Sequence, residues 1–107
     1  DDLPMRAAAV ELIAKFPSAL EIGRTMTGAA DERMTRTGID LLGKIGSPEA
    51  LQIVGALLSD QRPGVRIQAL LALHNRAPEE FKSAVIELRR DPDARVRAIA
   101  ARIDPGR

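Results

Sequence analysis

Residues 60–69 read DQRPGVRIQA and residues 91–100 read DPDARVRAIA. In each stretch an aspartate leads, a Val-Arg pair follows, and an alanine stands three positions past the arginine: Asp60, Val65, Arg66 and Ala69, then Asp91, Val96, Arg97 and Ala100. The same landmarks run back along the chain. Arg6, Arg36, Arg66 and Arg97 are spaced by 30, 30 and 31 residues; Met5 and Thr35 occupy the Val positions, and Ala9 and Ile39 the Ala positions. An aspartate leads every block: Asp1 or Asp2, Asp31, Asp60 and Asp91. Pro17, Pro48 and Pro78 mark the half-way points, each followed by a large apolar residue, Leu20, Leu51 or Phe81. Several independent landmarks sharing one period of about 30 residues signify a supersecondary unit stacked on copies of itself.

Each unit reads as two helices. The first carries apolar residues at helical spacing, as in Val65, Ala69, Ala72 and Leu73, or Val96, Ile99, Ala100 and Ile103; Met34, Gly38, Leu41, Leu42 and Ile45 form the equivalent stripe one unit earlier. The second carries Leu51, Val54 and Leu58, or Phe81, Ala84, Val85 and Leu88. Leu70, Leu71, Ile53 and Leu57 widen these stripes, as helices packed on a partner and on neighbouring units require. Ser47-Pro48-Glu49 supplies an N-cap, a proline at the first helical position and an acid at the positive end of the dipole. Asp91-Pro92 is read the same way, Ser18 with Glu21 as a capping box, and Gly46 and Asn75 as C-terminal stops. The predicted helices are 3–16, 18–29, 31–45, 48–59, 62–75, 78–90 and 93–103. The second is the weakest, because Gly23, Thr25, Thr27 and Gly28 lower helix propensity.

Composition narrows the functions open to such a stack. The length, 107 residues, suits one domain, with units at about 1–30, 31–59, 60–90 and a half unit at 91–107. The chain begins at Asp1 without a methionine, which reads as a piece of a larger protein. Phe16 and Phe81 are the only aromatics, too few for base-stacking platforms. Sixteen basic and fifteen acidic residues leave a net charge of +1, which disfavours nucleic acid and anionic membranes as partners. There is no cysteine for disulfides or thiolate metal sites, and no apolar run long enough to span a membrane. With no visible targeting signal, the expected location is the cytoplasm.

The run Asp60 to Ala69 and the run Gly46-Ser47-Pro48-Glu49-Ala50-Leu51 together resemble HEAT repeats, closest to the short bacterial type seen in phycobilisome-lyase-like proteins. The resemblance covers nearly the whole chain and departs from the family pattern at Thr35 and Ile39. It implies an all-α fold, a right-handed α-solenoid of stacked antiparallel helix pairs with about seven helices in 3.5 repeats. It also implies that Arg6, Arg36, Arg66 and Arg97, with Asp31, Asp60 and Asp91, are structural fasteners between repeats.

Read without the family, four equally spaced arginines would also suit a ladder for phosphates or acidic peptides. The aspartates suggest N-caps rather than a cation site, since no calcium-binding loop surrounds Asp31, Asp60, Asp91 or Asp93. His74, the single histidine, has no evident second ligand or base and is read as a helix-end residue. No phosphate loop, nucleophile elbow or paired carboxylates stand out, so neither an enzyme nor a cofactor is expected. The expected function is a scaffold or protein–protein interaction module that docks a peptide, a helix or a neighbouring domain. Because second helices line the concave side in such solenoids, Glu21, Arg24, Gln52, Glu80, Lys82 and Arg89 are the candidate contact residues. The rival expectations are a bilin lyase or chaperone-like helper and, further off, binding to a DNA backbone.

Overall fold

The computed structural model describes residues 18–74 and 76–103. The expected helix 3–16, with Arg6, lies outside the described residues, as do Asp1, Asp2 and Asn75. Six helices follow in order: α1 Ala19–Thr27, α2 Glu32–Ile45, α3 Pro48–Ala56, α4 Pro63–Ala72, α5 Lys82–Glu87 and α6 Ala94–Arg102. Short 3-10 turns extend α3 over Leu57–Ser59 and flank α5 at Glu79–Phe81 and Leu88–Arg90. The expected helix 78–90 is therefore a single α turn and a half between two tighter turns. Among the described residues there is no strand, and no helix is long and apolar enough to cross a membrane.

First helices α2, α4 and α6 lie side by side, and second helices α1, α3 and α5 pack against them. The molecule is 22 Å across its thinnest dimension, which matches two helix layers at about 10 Å each. The main core runs from α2 to α6, with Ile39, Leu42, Val54, Val65, Leu70, Leu73, Val85 and Val96 all at 0% exposure, and Ala19 with Leu41 forms a second, small cluster beneath α1. The period found in the sequence is the period of burial. Thr35, Val65 and Val96 are buried at one recurring position, and Ile39, Ala69 and Ala100 at the next. Each buried Val, Leu or Ile contributes about 1.5–3 kcal/mol, so neighbouring units supply most of one another's stability.

The helix boundaries follow local chemistry. Asp31 caps α2 by accepting the Met34 amide at 3.1 Å, and Ser47 caps α3 by accepting from Ala50 at 3.2 Å with Pro48 in the first turn. Gly46 ends α2 in the left-handed region, φ 68°, where an L side chain is strained. Two expected caps are placed differently. Ser18 precedes α1 without a capping hydrogen bond from its side chain, its backbone turned away from the extended geometry that aims the hydroxyl at the helix. Asp91 does not cap α6; Asp93 does, accepting from Arg95 and Val96 amides at 2.8 and 3.3 Å.

The residues that weaken α1 in isolation are the ones that bring it close to α2. A Cβ on Gly38 would stand 2.7 Å from Met26 Cβ, 3.0 Å from Thr27 N and 3.1 Å from Gly23 O. One on Gly23 would meet Leu42 at 2.7 Å. Thr27 is buried, its hydroxyl donating to Arg24 O at 2.8 Å. Close backbone approach, rather than propensity, holds α1. Met34 is corrected from core to surface, 49% exposed, because Thr35 takes the inward position on that turn. Leu71 is likewise 51% exposed.

Candidate functional site at the repeat seams

The recurring polar residues converge where one unit meets the next. Arg66 Nη1 donates to Asp60 O at 2.8 Å and Gln61 O at 3.0 Å, fixing the turn ahead of its own helix. Its Nη2 donates to Asp91 Oδ2 of the following unit at 2.9 Å, and Nε stands 2.9 Å from Oδ1 without hydrogen-bond alignment. Asp91 is buried and also accepts the Asp93 amide at 2.8 Å, so one carboxylate joins α4 to the turn that starts α6. Arg97 repeats the first half of this arrangement: Nη1 donates to Asp91 O at 2.8 Å and Pro92 O at 3.1 Å.

The second unit solves the same problem with other atoms. Thr35 is fully buried and its hydroxyl faces Ala29 O at 2.8 Å and Asp31 O at 3.1 Å, taking up loop carbonyls as the arginines do in later units. The substitution of Thr for Val thus keeps the shape and adds a donor. Arg62 crosses from the next unit, donating to Ala30 O and to Thr35 Oγ1, each at 3.3 Å. Arg62 also holds Asp60, with Nε to Oδ1 at 2.9 Å and Nη2 to Oδ2 at 3.1 Å. With Asp60 so engaged, Arg36 is exposed and makes no hydrogen bond or ion pair among the described residues; its expected place in the seam is corrected. Asp60 is not a side-chain N-cap of α4 but accepts the Arg62 amide at 2.9 Å, closing the turn.

These pairs set the titration of the acids. The hydrogen bond from Arg62 holds the Asp60 carboxyl below the usual carboxylate range, against the opposing effect of burial. Asp93 is held at about 2, chiefly by the Arg95 side chain with the Arg95 and Val96 amides adding to it. The guanidinium groups of Arg62 and Arg95 are raised by the same contacts.

Two further arginines cover helix C-termini. Arg76 Nη2 donates to Gly43 O at 2.9 Å, at the negative end of α2, and Nε to Ala72 O at 3.3 Å. Arg89, expected as a partner contact, instead donates to Ile103 O at 3.1 Å and Ala100 O at 3.4 Å at the end of α6. Of the other expected contacts, Gln52 Nε2 donates to Glu80 Oε1, tying α3 to the turn before α5. Lys82 pairs with Glu79 at 3.0 Å. Glu21 and Arg24 stay exposed on α1, 3.8 Å apart. His74 is exposed at the end of α4. Among the described residues no three His, Cys, Asp or Glu side chains gather as a metal site would need. A shallow groove of about 200 Å³ between α2 and α4, lined by Asp40, Lys44, Gln68, Leu71 and Arg76, is smaller than the clefts of about 300–1,000 Å³ that enclose small-molecule ligands.

The family model for HEAT repeats matches this chain twice, over residues 1–73 and 25–103, the second match ending one 30-residue period after the first. The chain belongs to the HEAT-repeat family. HEAT repeats generally act as scaffolds and protein–protein interaction modules. In this HEAT chain, of the spaced arginines, Arg66 reaches the acid of the following unit and Arg97 holds the turn ahead of its own helix. No curated protein and no solved structure matches the chain.

Proposed function

We propose that residues 1–107 form one non-catalytic HEAT domain that docks a peptide, a helix or a neighbouring domain on its second-helix layer. The supporting observation is apolar surface beside charge on the second helices. Arg62, Arg66, Asp60 and Asp91 are spent at the unit junctions, and exposed apolar side chains stand on both layers, Met34 49% and Leu71 51% on the first helices and Ile22 39% and Ile86 47% on the second. Glu21 and Arg24 flank Ile22 on α1, and Glu87 and Arg90 flank Ile86, so apolar contact area is rimmed by charge of both signs. Of the candidate contacts, Glu21 and Arg24 are the most available; Gln52, Glu80 and Lys82 already have partners inside the chain.

A selection of displayed helical peptides against the whole chain, followed by amide chemical-shift mapping, tests this. Perturbations centred on α1, α3 and α5, abolished by Ile22→Glu with Ile86→Glu at an unchanged melting temperature, are expected. Binders that map only to α2 and α4, or turnover of a small molecule, would overturn it. Titrations with a bilin and with duplex DNA in the same assay distinguish the two rival functions.

A further inference from the structure

Polar groups at the unit junctions are spent on one another, but those lining the groove between α2 and α4 are not. The floor of that groove is made by small residues, since a Cβ on Gly43 would stand 3.2 Å from Ala72 Cβ. At one end stand Asp40 and Gln68, both half-buried, and neither side chain makes a hydrogen bond or ion pair among the described residues. At the other end the Arg76 guanidinium is held across the groove, Nη2 donating to Gly43 O at 2.9 Å and Nε to Ala72 O at 3.3 Å, one carbonyl from each side. Its Nη1 has no acceptor among the described residues, and Lys44 lines the groove beside it. Between the two ends Leu71 is 51% exposed. An unpaired acid, an apolar centre and an oriented cation therefore follow one another along the groove.

We infer that this groove is where a second copy of the chain docks, face to face and antiparallel, about a two-fold axis that runs across the helices. Under that axis the Asp40 end of one copy lies over the Arg76 end of the other, and the same residues form the reverse contact. Each Arg76 Nη1 then gains a carboxylate, each Asp40 a guanidinium, and the two Leu71 side chains meet at the centre, out of water. A second copy fits better than an anion, which would answer Arg76 and leave Asp40 beside a like charge, and better than a cationic segment, which would leave Arg76 unmatched. At about 200 Å³ the groove does not enclose a small molecule, and a contact between two surfaces needs no enclosure. One groove is a small contact, so the association is weak, with a Kd of about 10–100 µM. The inference does not depend on the second-helix layer, which lies on the other side of the stack.

Sedimentation equilibrium of the full chain from about 5 µM to about 1 mM tests this, and a mass that rises from one protomer to two is expected. Leu71→Glu and Asp40→Arg should each weaken the dimer by about tenfold or more, whereas Ile22→Glu with Ile86→Glu leaves it unchanged. Mixing the Asp40→Arg chain with an Arg76→Glu chain should restore a dimer, because the reversed charges face one another at both ends. A single-protomer mass throughout overturns the inference, as does a dimer that Leu71→Glu leaves intact. So does failure of the mixed chains to associate while both keep their helical circular dichroism. Should Arg76→Glu uncover the end of α2 and unfold the chain, Leu71→Glu and Asp40→Arg decide alone. Peptide binding lost with the dimer intact, or the dimer absent with peptide binding kept, separates this surface from the second-helix layer.

Discussion

Gly38→Ala puts the packing account at risk with one methyl group. In an exposed helix the change stabilises by about 1 kcal/mol through helix propensity. Here the added Cβ meets three atoms of α1, at 2.7 Å from Met26 Cβ, 3.0 Å from Thr27 N and 3.1 Å from Gly23 O, where 3.4 Å begins ordinary contact. Two of the three are backbone, so no rotamer change relieves them, and α1 must move out by about 0.7 Å along its length. That motion also pulls Gly23 off Leu42 and disturbs buried Ala19 and Leu41. Overpacking costs about 1–3 kcal/mol, and three contacts inside 3.4 Å, two of them backbone, place this change at about 2–3 kcal/mol, for a net loss of about 1–2 kcal/mol. At about 4–8 °C per kcal/mol for a domain near this size, the melting temperature falls by roughly 4–15 °C. Gly43→Ala is the internal control, since its nearest neighbour is one side-chain atom, Ala72 Cβ at 3.2 Å. Thermal unfolding followed by circular dichroism compares them, and Gly38→Ala at or above the stability of the parent would refute the close crossing of α1 and α2.

Ala100→Asp places a carboxylate at a position with 0% exposure and is expected to cost about 2–3 kcal/mol, read as faster amide exchange in α6 before the rest of the stack. Asp93, held at about 2 against an ordinary 3.8, contributes stability that is present above about pH 4 and lost as the pH falls through 2; Asp93→Asn keeps a capping side chain and should remove that part of the acid sensitivity in melts between pH 5 and 2. Arg76→Ala uncovers Gly43 O at the end of α2 and is expected to cost about 1 kcal/mol in urea unfolding, a loss that Arg36→Ala, exposed and without a partner among the described residues, does not share.

The stack was legible because burial recurs with the arginines: Val65 and Val96, Ala69 and Ala100 sit one period apart and are all buried. Caps written within a few residues, Asp31 and Ser47, were legible for the same local reason. What sequence left open was decided across the seam. Asp91 and Asp93 both stand where a cap could be read; Asp91 accepts the amide two residues on, as Asp60 does one unit earlier, and the Arg66 guanidinium as well, leaving the capping to Asp93. Arg62 takes Asp60 and displaces Arg36 by reaching a contact 27 residues distant, Thr35, which no local pattern signals. Arg76 and Arg89 cap helices whose ends approach only once the units have stacked. The one hint within the sequence was Thr35, a β-branched residue of valine's shape carrying a hydroxyl, at a position where the third and fourth units have Val65 and Val96.

A double-mutant cycle on Arg66 and Asp91 measures most directly whether the spaced arginines are fasteners. Their side chains are 12% and 4% exposed, so Arg66→Met or Asp91→Asn alone breaks a largely buried pair and should cost about 3–5 kcal/mol. Together the two changes should cost clearly less than the sum, with a coupling of about 1.5 kcal/mol or more in urea unfolding. Single losses that simply add, to within about 0.5 kcal/mol, would show that the guanidinium and the carboxylate act independently and that the units are not joined there.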